Sequence, residues 1–225
     1  MRPLARPLFV EALGTFTLVF VSVAATMANN YPLVGFNTLG IALATGLAFG
    51  FAITFALPYS GGHVNPAVTL GFLAVGRIGL KKALWYVAAQ LVGGVLGALA
   101  VKATYPIGVT KVTDLGVPTI HTAITFWGAV SIEAILTFFL MSAFYATIVS
   151  PKAIKMGGFG VGLAAFVLML AYAPLTGAVM DPARAFGPSL VTMQWTGHLA
   201  YWIGPVVGAV VAAMMWDKFL LKAEA

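Results

Sequence analysis

Gly61-Gly62-His63-Val64-Asn65-Pro66-Ala67-Val68-Thr69 lies between two long apolar runs and decides the fold. The apolar stretch it opens, 66–76, is too short to cross a bilayer and too apolar for an ordinary surface loop. Asn followed by Pro marks a helix start, with Asn as N-cap and Pro in the first turn. Near the end of the chain, Met180-Asp181-Pro182-Ala183-Arg184 repeats the arrangement. Two half-length helices, each opening on a polar cap and a proline, therefore occupy corresponding places in two halves.

The surrounding composition sets the solvent. Of 225 residues, 61% are hydrophobic and 8% charged, against about 25% charged in a soluble domain. Mean hydropathy is +1.00. So few charges cannot cover a water-facing surface, and the chain reads as an all-α integral membrane protein forming one domain over 1–225. Six stretches reach the roughly twenty residues that span a bilayer, at about 7–28, 37–57, 82–104, 124–148, 157–175 and 198–220. The half-length stretches 66–76 and 182–193 follow the second and fifth. Arg2 and Arg6 before the first run resemble a signal peptide, but that run continues without a convincing cleavage site and contains Glu11, so it is kept as a first span.

The net charge of +6 is a matter of orientation rather than of nucleic-acid binding. Arg2, Arg6, Arg77, Lys81, Lys82, Lys152, Lys155, Lys218 and Lys222 fall on one side if the chain crosses six times, leaving Lys102, Lys111 and Arg184 for the other. The positive-inside rule then places both termini in the cytoplasm, with the loops 29–36 and 105–123 facing outward from the cell membrane. Cysteine is absent, which excludes disulfides and Cys-based metal sites. His63, His121 and His198 lack ligand spacing, so no metal site is expected. No phosphate-binding Gly-rich loop with Lys supports ATP-driven transport, and no nucleophile pattern supports an enzyme.

The chain is an internal repeat. Glu11-Ala12-Leu13-Gly14-Thr15-Phe16 resembles Glu133-Ala134-Ile135-Leu136-Thr137-Phe138, and 19 residues separate both Gly46 from Asn65 and Gly162 from Asp181. Gly93 and Gly97 pair with Gly204 and Gly208. Gly46/Gly50 and Gly158/Gly162 have the spacing of close helix contacts. Three spans per half, about 7–104 and 124–220, make the repeat inverted, and interrupted helices in such repeats mark a pathway near the midplane. Irregular backbone at that depth must be buried in protein or line a cavity. The half-helices should thus enter from opposite faces and meet. Their positive N-terminal ends would repel cations, and pores use such ends with an Arg to exclude protons.

Ser60 to Thr69, Tyr86-Val87-Ala88-Ala89-Gln90, Asp181-Pro182-Ala183-Arg184-Ala185-Phe186-Gly187-Pro188 and Tyr201-Trp202-Ile203-Gly204-Pro205 resemble the aquaporin and aquaglyceroporin channels, the major intrinsic proteins. The resemblance covers nearly the whole chain. It implies an hourglass pore of six spans and two re-entrant half-helices, a homotetramer, no cofactor, and water as the permeant. The central constriction maps to Asn65, Pro66, Ala67, Asp181, Pro182 and Ala183. Gly61, Gly62, His63, Val64, Gly177, Val179 and Met180 map to the pore lining, with carbonyls of 61–64 and 177–180 as an acceptor ladder. The selectivity filter maps to Arg184, to Thr45 twenty before Asn65, to Met169 twelve before Asp181, and to Ala178 three before it. The family's matching glutamates, here Glu11 and Glu133, hold the half-helix loops. His63 is expected as a hydrogen-bonded lining residue in the cytoplasmic half.

Two departures complicate the transfer. Strict water channels carry Phe and His where Thr45 and Met169 stand, which implies a wider, less polar filter; glycerol facilitators follow the Arg with Asp, where this chain has Ala185. Glycerol, urea, ammonia or uncharged metalloid hydroxides are thus added permeants to test. Asp181 replaces the family's Asn. Ionised, it accepts hydrogen bonds and donates none, and would partly cancel the positive barrier; protonated, it would mimic Asn. Normal conduction, proton or cation leakage and an altered solute preference all remain open. The competing class is a proton-coupled secondary transporter using Glu11 and Glu133; a third is a structural membrane protein with a closed pore.

Overall fold

A computed structural model describes residues 2–29 and 37–221. The loop 30–36, Lys222 and the side chain of Arg2, all used in the orientation count, lie outside the described residues. Six helices are long and apolar enough to cross a membrane. They are α1 (Arg2–Asn29), α2 (Asn37–Ser60), α4 (Leu80–Thr104), α6 (Phe126–Phe144), α7 (Phe159–Thr176) and α9 (Ala200–Met215). α6 and α9 each continue into a π-helical turn, Tyr145–Val149 and Trp216–Leu220. The half-helices are α3 (Pro66–Ala74) and α8 (Pro182–Thr192). The connection expected as plain loop over 105–123 contains a short helix, α5 (Ile107–Val112), and a 3₁₀ turn at Asp114–Gly116.

The packing repeats across the two halves. α1 packs on α2 and α4; α6 packs on α7 and α9. The half-helices cross over, α8 lying on α4 and α3 on α9. Small residues permit each approach. A Cβ at Gly46 would lie 2.6 Å from Gly162 O between α2 and α7. A Cβ at Gly71 would lie 3.0 Å from Ala209 O between α3 and α9, and Gly187 meets Gly94 at the corresponding crossing of α8 and α4. Gly93 abuts Ala12 O, and Gly208 abuts Ala134 O. Ala12 and Ala134 are equivalent in the repeat, so Gly93 corresponds to Gly208. The expected pairing with Gly204 is one helical turn out, because Gly-xxx-Gly spacing matches itself when shifted by four. The same register puts Pro205 where the first half has Gln90.

The apolar residues left exposed lie along the outer faces of the helices, among them Phe9, Leu47, Phe51, Trp127, Phe139 and Val167. In lipid such faces are solvated, and helix contacts rely on close packing of small residues instead. Beyond α3, Arg77 donates from Nε and Nη2 to Asp217 at 2.5–2.9 Å, and Tyr145 Oη joins the same carboxylate at 3.0 Å. This ties the end of the first half-helix to the π-helical ends of α6 and α9.

Candidate functional site

Each half-helix is held by one buried glutamate. Glu11 Oε1 accepts from Ser60 Oγ at 2.5 Å and from His63 N at 2.9 Å. Its Oε2 accepts from Val64 N at 2.6 Å and Gln90 Nε2 at 2.7 Å. Glu133 repeats the set one half later: Thr176 Oγ1 at 2.7 Å and Val179 N at 2.9 Å on Oε1, Met180 N at 2.7 Å on Oε2. Both carboxylates are fully buried, and buried carboxylates require this density of donors. They hold strained backbone. Val64 sits at φ +52° and Met180 at φ +56°, a region costly for β-branched or bulky residues. Gly61 and Gly177, at φ +93° and +81°, make the preceding turns without that cost.

The held loops deliver two helix caps. Asn65 Oδ1 accepts from Ala67 N at 2.7 Å and Val68 N at 3.4 Å. Asp181 Oδ1 accepts from Ala183 N at 2.8 Å and Arg184 N at 3.4 Å. The caps meet: Asn65 Nδ2 donates to Met180 O at 2.9 Å, across 115 residues of chain. The two half-helices therefore converge N-terminus to N-terminus. Their first turns, Pro66, Ala67, Pro182 and Ala183, are buried at that junction.

Three cavities lie along this axis. The first, about 460 Å³, is lined by Thr38, His121, Met169, Gly177 and Arg184 among others. It continues, through the shared Met169 and Arg184, into a chamber of about 10 Å³ lined by Thr45, Phe49, Met180 and Asp181. That volume holds a single water molecule. On the other side of the caps, a cavity of about 240 Å³ is lined by Gly61, His63, Phe72, Arg77, Phe144 and Ile148. Of the four expected filter positions, Thr45, Met169 and Arg184 come together at the small chamber. Ala178 is fully buried and takes part through its carbonyl, which accepts from Arg184 Nη2 at 2.7 Å.

Arg184 also donates to Gly177 O at 3.0 Å and, through Nε, to Val179 O at 3.3 Å. The guanidinium thus braces three carbonyls of the expected ladder, each of which keeps a second lone pair for a permeant. His63 pairs through Nδ1 with Thr69 Oγ1 at 3.0 Å and packs its ring against Phe72 and Tyr86. It lines the third cavity as a hydrogen-bonded residue.

Some participants escaped sequence reasoning. Ser60 and Thr176 are twin donors to the two glutamates, and the 116-residue offset that relates Asn65 to Asp181 finds them once applied. Thr15 Oγ1 donates to Val64 O at 3.2 Å; its place one turn after Glu11 was the available signal. His121 joins the first cavity because its backbone N donates to Leu175 O at 2.9 Å. That fold-back of the long connection has no sequence signature.

The sequence pattern described as Major intrinsic protein matches residues 2–216. Aquaporin TIP4-4 of Zea mays is 40% identical, over 96% of this chain and 87% of its own. A probable aquaporin, TIP3-2 of Arabidopsis thaliana, is 36% identical over 96% of this chain and 84% of its own. Among solved structures, the aquaglyceroporin from Plasmodium falciparum superposes with a TM-score of 0.82 at 26% identity, covering 97% of both chains.

Proposed function

The chain belongs to the major intrinsic protein family, and on that premise we propose that water crosses it in single file through the chamber bounded by Thr45, Met169, Asp181 and Arg184. The protein is a multi-pass membrane channel, passive toward water and small solutes. The observation that carries the pathway is the one-water chamber of about 10 Å³ set between two wider cavities at the meeting point of the caps.

Arg184 presents a fixed positive charge beside two helix N-termini, and each of these opposes a hydrated metal cation. Carbonyls of 61–64 and 177–180 supply acceptors to the file, and Asn65 Nδ2 supplies a donor at its centre. The small chamber supports water over glycerol as permeant: Met169 is only 2% exposed and fills space that a Thr45 and Ala178 filter would otherwise leave open. The wider filter expected from residue types is thus replaced, in this reading, by a narrow one closed with a flexible thioether.

A proton-coupled transporter would need carboxylates free to exchange protons. Glu11 and Glu133 are instead engaged by four and three donors, which suits a structural role. The protein acts as a channel and not as an enzyme, assembles as a homotetramer, and lies in the cell membrane with both termini cytoplasmic. The one-sided distribution of Lys and Arg supports that orientation.

Stopped-flow light scattering on proteoliposomes, run in parallel with water, glycerol and urea, tests the reading. Water permeability well above protein-free vesicles, with glycerol close to them, is expected. Glycerol permeability rising in proportion to water would overturn the narrow filter.

A further inference from the structure

The two caps hold their own helices alike through Oδ1 and differ at the second side-chain atom. Asn65 Oδ1 accepts from its own helix and Nδ2 donates to Met180 O. Asp181 Oδ1 likewise accepts from its own helix, and Oδ2, where the mirror-related donor would be, has no hydrogen-bond partner among the described residues. Asp181 is 2% exposed and lines the one-water chamber. Thr45 Oγ1, lining the same chamber, is likewise buried and without a partner among the described residues. Two polar oxygens so placed lose free energy unless a permeant hydrogen-bonds to them.

We propose that Asp181 is a proton relay at the centre of the pore, so that this channel passes protons down their gradient alongside water. The proposal rests on the chamber being the conduction path. A pore centre with two amide donors turns each water oxygen toward itself and interrupts the hydrogen-bonded file. Here one of the two positions accepts instead, so a water can point an O–H at Oδ2. Thr45 Oγ1 both donates and accepts and can hold that same water.

The relay balances without a co-reactant. A hydronium ion on one side transfers a proton to the carboxylate, leaving water and the carboxylic acid. The acid then transfers its proton to the next water in the file, restoring the carboxylate and releasing hydronium on the other side. An alkali cation has no such path, because it must cross as a body past Arg184.

The charged groups acting on Asp181 are Arg184 on its own half-helix and Glu11 from α1; Glu133 from α6 and Tyr201 from α9 act on Arg184 in turn. Arg184 opposes proton entry, and a carboxylate this close offsets its charge. Glu11 and Glu133 have their oxygens occupied by loop donors, and His63 is paired to Thr69. Asp181 is the carboxyl in this group with an open acceptor atom.

The test measures proton and water permeability in one batch of proteoliposomes. A pH step is applied with potassium and valinomycin clamping the potential, and an internal pH dye reports the flux. The ratio of proton to water permeability is the readout, so the amount of inserted protein cancels. Asn caps a helix as well as Asp, so Asp181→Asn retains the half-helix. Wild type is expected to pass protons faster than protein-free vesicles, and Asp181→Asn to lower the ratio by about tenfold or more. Rapid water flow with proton flux at the protein-free level overturns the relay and leaves the channel reading intact. An unchanged ratio in Asp181→Asn, or a potassium flux measured without valinomycin that exceeds protein-free vesicles and matches the proton flux, also overturns it. Absence of both water and proton flux overturns the channel reading itself.

Discussion

The two halves of this molecule solve one problem twice, with different margins. Both must hold a strained loop at membrane depth and aim a helix N-terminus at the middle. Ser60, His63 and Val64 on Glu11 correspond contact for contact to Thr176, Val179 and Met180 on Glu133. The first half adds Gln90, which bonds both Glu11 and Thr69; the second has Pro205 there and recruits Arg184 across its loop carbonyls instead. The glutamate cradle is therefore the invariant part of the design, and what braces it differs. The half with the arginine is also the half whose cap lacks a donor.

The sharpest break in this comparison is removal of a glutamate. Glu133→Ala leaves Thr176 Oγ1, Val179 N and Met180 N without an acceptor, and Glu11→Ala leaves His63 N and Val64 N, because Ser60 Oγ keeps Ala56 O and Gln90 Nε2 keeps Thr69 Oγ1. At about 1–3 kcal/mol for each orphaned group, both variants should fail to accumulate as folded protein, Glu133→Ala more completely. Yield and thermal unfolding in detergent check this. Equal tolerance of both would show that the loops are held by something else.

Next come the crossings that the two halves share. Gly93→Ala and Gly208→Ala each push a methyl group into a backbone carbonyl, Ala12 O and Ala134 O. Each should cost about 1–3 kcal/mol from overpacking, and the two costs should be similar. Gly204→Ala meets Val130 O at 2.6 Å and belongs to a different turn. A large difference between Gly93 and Gly208 would break the register assigned to the repeat.

Gln90→Leu removes a brace that only the first half has. Glu11 keeps its other three donors, so the loss should be about 1–2 kcal/mol, visible as a lower unfolding temperature with water conduction retained. The smallest effect should come from Asp181→Asn. A new amide donor in the mirror position of Asn65 Nδ2 should raise stability by about 0.5–1.5 kcal/mol. A fall in stability would mean that the carboxylate has a role in the cap beyond the one Asn can fill.

Much of this was readable from the residues. Six apolar runs, two capped half-lengths and the Glu11/Glu133 repeat located every spanning helix to within a few residues, because bilayer thickness and backbone satisfaction leave few alternatives. The meeting of the two half-helices followed from the inverted repeat; the bond from Asn65 Nδ2 to Met180 O needed the structure. The register of Gly93 did not, since a motif that repeats every four residues cannot fix its own phase. The chamber volume was not legible either. Residue types at Thr45 and Met169 say what could be small, whereas the packing of Met169 with Phe49 and Ala165 around the chamber decides what is filled. The open oxygen of Asp181 needed the structure, because Asp and Asn cap a helix equally well and differ only in what the second atom faces.

The central claim is a passive water file through the junction of the two caps. It is tested most directly by the temperature dependence of osmotic shrinkage in proteoliposomes holding the wild-type chain. The account predicts shrinkage much faster than in protein-free vesicles, with a low activation energy and no dependence on an imposed proton gradient. Shrinkage at the protein-free rate, or flux that saturates and follows the gradient, would contradict it.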